Sequence, residues 1–187
     1  MRAVHVIAAV AIPQGGPAFR AALAVHILAG LTSVVSGAVA ATARKRAGRH
    51  PVAGTVYFWG LSAVFATATV MASMRWSRDA HLFAIATVAF GLAVAGRTAR
   101  RRRPRSWVLW HAAGMGGSYI ALPTGFYVDN GSQLPVWDRL PHLAFWVLPA
   151  AIGVPLIVVG LARFEAPRLK PPRPGVRRTG APPAPQE

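Results

Sequence analysis

Six histidines and few other ionisable groups lie in or beside the apolar stretches of this chain. Imidazole binds metal through a neutral nitrogen and changes charge near neutral pH, so its placement sets what chemistry is open. His81 and His142 occupy matching positions in two near copies, WSRDAHL at residues 76–82 and WDRLPHL at 137–143. Each histidine stands where a polar turn gives way to a long apolar run. The two are 61 positions apart, and so are His50 and His111. That shared offset suggests a helix pair that begins at His50 and recurs at His111. His26 lies inside another apolar run, and His5 near the N-terminus.

Two neutral imidazoles from different helices, at one depth, can take both axial positions of a haem iron. His50 with His111 would form an inner pair, and His81, His142 and His26 an outer set; the cofactor would be haem b. Gly114, Gly116 and Gly117 in HAAGMGGSY, with Gly30 and Gly37, would leave room for the flat macrocycle. The same residues admit plainer roles. Histidines at a membrane interface anchor helices by pointing a ring nitrogen at headgroups, and His26 and His111 can hydrogen-bond across helices or relay protons. Arg78 and Arg139 suit either haem propionates or lipid phosphate. Asp129, in FYVDNG, is a turn former that could also hold a cation or polar ligand at the mouth of the bundle.

These positions require membrane-spanning helices. Stretches free of Asp, Glu, Lys and Arg cover residues 21–43, 50–74, 80–96, 106–128 and 140–162. Each approaches the roughly 17 to 25 residues that cross a bilayer as a helix, and lipid leaves the backbone no other partner than its own helix. The expected fold is therefore all-α: one integral membrane bundle of about five helices (21–43, 52–74, 80–98, 106–128 and 141–162) over residues 19–163. Residues 1–18 read as a short apolar segment, either on the outer surface or a signal peptide with AVA at 9–11 as its cleavage site. The Pro-rich basic tail, 164–187, reads as disordered.

Basic residues cluster in alternate links. Arg44, Lys45, Arg46 and Arg49 precede the second run, and RTARRRRPR precedes the fourth; the other two links carry few. The positive-inside rule then places the N-terminus outside and the C-terminus in the cytoplasm. Arginine and alanine usage points to the cytoplasmic membrane of a bacterium. The net charge of +16 fits anionic lipid headgroups rather than nucleic acid. A membrane-protein partner or a second copy is open.

Without cysteine the chain has no disulfide, thiolate metal site or iron–sulfur cluster. No carboxylate lies inside a span and no phosphate-binding glycine loop is present. An enzyme without a cofactor is the weakest candidate; an enzyme, if any, would be an oxidoreductase. Three readings stand: a helical bundle in an accessory or transporter-like role, a haem electron-transfer protein, and a proton or small-molecule conduit.

The histidine spacing resembles that of the ascorbate-reducible transmembrane cytochrome b family, which implies His50 with His111 and His81 with His142 as ligand pairs. From Trp110 onward, the chain also resembles an uncharacterised bacterial multi-pass family, the domain of unknown function 2306 kind. Carrying that resemblance are His111, Met115, Ser118, Tyr119, Ile120, Phe126, Val128, Asp129 and Asn130, then Trp146, Pro149, Gly153 and Pro155, with His50, Gly54 and Tyr57 earlier. It implies a multi-pass topology and no particular activity. Gly125 in PTGF departs from that family's usual alanine.

Overall fold

The computed structural model describes residues 6–7, 10–11, 16–44 and 48–165. Its architecture is five long helices: α1 (Pro17–Thr42), α2 (Arg49–Met74), α3 (Trp76–Arg102), α4 (Trp107–Asn130) and α5 (His142–Glu165). A minimal antiparallel ladder, β1 (Val6–Ile7) with β2 (Val10–Ala11), precedes them. Two single-turn 3-10 helices, Gly131–Gln133 and Trp137–Arg139, fill the link before α5. The tail expected to be disordered lies outside the described residues.

Local chemistry sets the helix ends. Pro17 starts α1, where its missing N–H costs nothing and its fixed φ suits a first helical turn. Gly48, at φ 114°, makes the turn into α2 in a backbone region that side chains resist. Between α2 and α3 the chain reverses through Arg75 alone. The α3 helix ends at Arg103, left-handed at φ 48°, just before Pro104, which disfavours helical backbone in the residue it follows.

Polarity is inverted relative to a soluble protein. Many buried positions are small or polar, among them Ala53, Ala68, Ala89, Ala93, Ser33 and Ser118, beside a few large ones such as Tyr57 and Leu61, whereas Leu28, Leu143 and Leu156 are about two-thirds exposed. Water would penalise those exposed aliphatic faces; lipid does not, and small residues inside let helices approach closely. Four helices, α1, α2, α3 and α5, are long and apolar enough to cross a membrane. The fifth, α4, matches them in length, but Gly, Ser, Tyr, His and Thr dilute its apolar content. It packs against both α3 and α5, so protein rather than lipid meets much of its surface.

Neighbours in sequence pack antiparallel. Along α3 and α4, Gly96 meets Gly114, Leu92 meets Gly117 and Ile85 meets Gly125. A Cβ on Gly114 would fall 2.7 Å from the Gly96 backbone, so both glycines are needed for the crossing. On the other side of α4, Ile157 and Gly153 of α5 meet Gly116 and Ile120. Between α1 and α2, Ser33 packs on Gly60, and between α2 and α3 the Phe65 and Phe90 rings stack with centroids 4.9 Å apart.

Candidate functional site

At the end of the bundle where Arg49 and the Arg100 to Arg105 link lie, two imidazoles converge. His50 follows the first residue of α2, and its Nδ1 lies 2.8 Å from the Ala40 carbonyl of α1. That carbonyl is among the last four of α1, where helices commonly accept donors from outside. His111 sits in the second turn of α4, with Nδ1 2.9 Å from the Gly96 carbonyl of α3. The Gly96–Gly114 crossing brings that carbonyl within reach. The two rings approach edge-on, with centroids 6.4 Å apart and planes at 83°. Trp107 flanks His111 at 6.4 Å.

A carbonyl only accepts, so each Nδ1 carries the hydrogen, and a neutral ring then has its lone pair on Nε2. Metal-bound histidines characteristically donate their other N–H to a carbonyl or carboxylate, which fixes tautomer and ring orientation. Two imidazoles on opposite faces of one metal, each bonded at about 2.0 Å, would have ring centres about 6 Å apart. The separation and tautomers of His50 and His111 suit two imidazoles that would hold one iron between them.

The other expected positions are not assembled in this way. His81 and His142 are exposed at the opposite end and do not touch each other among the described residues; His142 instead meets the edge of Phe145 at 5.4 Å. Within the bundle, His26 bonds through Nδ1 to Thr67 Oγ1 at 2.9 Å, tying α1 to α2. The Thr67 hydroxyl donates to the Ala63 carbonyl, so His26 is the donor. Arg78 and Arg139 are exposed. Asp129 takes a bond from Asn130 Nδ2 at 3.3 Å and lies within electrostatic reach of Asp79, His81 and Arg75, the last in an ion pair with Asp79 at 3.9 Å.

Four of the five glycines expected to leave room for a macrocycle meet neighbouring helices instead. Gly114 abuts the α3 backbone, Gly116 receives Ile157, Gly117 receives Leu92, and Gly37 receives the Tyr119 and Tyr57 rings. Gly30 has nothing near it. A glycine marks a close approach, and here what approaches is a neighbouring helix.

Sequence reasoning passed over a second polar layer. Tyr57 and Ser118 stand seven positions beyond His50 and His111, two helical turns deeper, and share a buried 2.8 Å hydrogen bond. Ser118 donates to the Met115 carbonyl, so Tyr57 is the donor between them. Tyr119 donates to the Val34 carbonyl of α1 at 3.0 Å. Extending the histidine offset of 61 by seven residues would have found the first pair, since parallel helices in register repeat their contacts every two turns.

Family models, curated proteins and solved structures give no match to this chain. Both family resemblances therefore rest on the quoted residues alone.

Proposed function

We propose that this bundle is a b-type haem electron-transfer protein in which His50 and His111 would hold the haem. One observation carries the reading: imidazoles from two separate helices approach edge-on with centroids 6.4 Å apart, each with Nδ1 held by a backbone carbonyl. The bound group would supply a one-electron couple. The chain's part is to hold two half-buried imidazoles, from α2 and α4, each oriented through Nδ1 by a backbone carbonyl. With the arginine-rich links in the cytoplasm, the pair lies near the inner face of a bacterial cytoplasmic membrane. The family resemblances support a multi-pass topology of this kind.

Haem titrated into detergent-purified protein tests the reading. Saturation at one haem per chain, with a low-spin spectrum, is expected for the wild type. His50→Ala and His111→Ala should each abolish that spectrum, while His81→Ala and His142→Ala should retain it. Equal spectra in all five proteins would refute the ligand assignment.

A proton conduit is the second reading, favoured by the polar groups at successive depths: the His50–His111 layer, Tyr57 with Ser118, and His26 with Thr67. Proton flux in liposomes that disappears in both His26→Ala and His111→Ala, in haem-free protein, would support it.

A further inference from the structure

Arg97 is the arginine of its link that turns inward. It lies five residues before the end of α3, about 7.5 Å deeper along the helix. Its guanidinium rests over the Phe58 ring of α2, 4.5 Å from the centroid. Phe58 packs edge-on against Trp59, which is 64% exposed on the face that meets lipid. The stem of Arg97 is thus held along the α2–α3 seam, and the planar head is presented at a fixed place near the membrane boundary.

Guanidinium carries five donors and suits a bidentate oxyanion. Among the described residues the one ion pair is Arg75–Asp79, at the other end of the bundle. Arg97 has cation–π support but no carboxylate there. Arg100 and Arg101 continue the positive charge on the next turn of α3, and Trp59 beside Phe58 on α2 and Val94 one turn before Arg97 on α3 leave apolar surface exposed. A phosphodiester at the head and an acyl chain along the seam would complement both features.

The geometry points to a defined binding site for one anionic phospholipid at the α2–α3 seam, with Arg97 holding the headgroup phosphate. The site is independent of the haem reading. It differs from general attraction to an anionic surface because it depends on one positioned guanidinium rather than on the sum of charge.

The test is native mass spectrometry of the delipidated full chain titrated with short-chain phosphatidylglycerol or phosphatidylcholine. The wild type should retain one phosphatidylglycerol in preference to phosphatidylcholine. Arg97→Gln should weaken that binding about tenfold, the effect of losing one strong charge-assisted contact. Arg101→Gln, equal in charge but exposed, should change it less than twofold. Arg97→Lys keeps charge and stem while losing the planar fork, so its binding should fall between wild type and Arg97→Gln even if the glutamine variant folds poorly. Equal losses in the Arg97→Gln and Arg101→Gln proteins would overturn the site in favour of bulk charge. Displacement of phosphatidylglycerol by inorganic phosphate at similar concentration would assign the site to the free ion and overturn the lipid.

Discussion

Replacing Gly96 by alanine puts a methyl group where the backbone of α4 already runs. The new Cβ would lie 2.8 Å from the Met115 amide nitrogen and 3.1 Å from the Gly114 carbonyl carbon. An ordinary contact starts near 3.4 Å, so α3 and α4 must part by about 0.6 Å at their tightest crossing. Backbone cannot rotate away as a side chain can, and overpacking of this kind costs about 1–3 kcal/mol. The gain in helix propensity of alanine over glycine, about 1 kcal/mol, offsets part of it. Gly91→Ala on the same helix is the control, because no atom lies within 4 Å of its added Cβ and only the propensity gain remains. Unfolding in mixed micelles, followed by tryptophan fluorescence, should find Gly96→Ala less stable than Gly91→Ala by about 1–3 kcal/mol. The same displacement moves the carbonyl that holds His111, so haem affinity should fall in Gly96→Ala and stay level in Gly91→Ala. Equal stability of the two variants would refute the crossing as described.

The buried Tyr57–Ser118 bond should show a coupling of about 0.6 kcal/mol, and below about 1.7, in a double-mutant cycle of Tyr57→Phe and Ser118→Ala measured by micelle unfolding. A coupling of zero would mean the hydroxyls do not meet. His26→Ala should cost about 1 kcal/mol by the same measurement, through the lost tie to Thr67, and leave the haem spectrum unchanged. Because the chain has no cysteine, single cysteines report topology cleanly. Ser132→Cys should react with an impermeant maleimide in intact cells, and Arg101→Cys only after lysis; the reverse pattern would invert the proposed orientation.

Much of the helical architecture can be read from charge-free runs, because lipid excludes charge from a helix far more strictly than propensity selects residues. Boundaries are less legible. The third run covers residues 80–96, yet α3 extends from Trp76 to Arg102. Arginine is a good helix former, and its charge ends the hydrophobic stretch without ending the helix. The inner histidine pair is legible because α2 and α4 run parallel in register, so an offset in sequence becomes a contact in space. His81 and His142 share that offset but not the contact, since α4 packs between the helices that carry them. What a glycine accommodates is not written in its own identity, which is why helix crossings resembled room for a cofactor. Arg97 was one of six arginines in its link, and only the position of Phe58 on a neighbouring helix distinguishes it.

The most direct test of the central claim is the visible spectrum of protein purified from haem-sufficient cells, recorded oxidised and then reduced with dithionite. The account predicts a Soret band and a sharp reduced α-band in the wild type, lost in His50→Ala and in His111→Ala. A colourless wild-type protein that stays colourless after haem is added would contradict it.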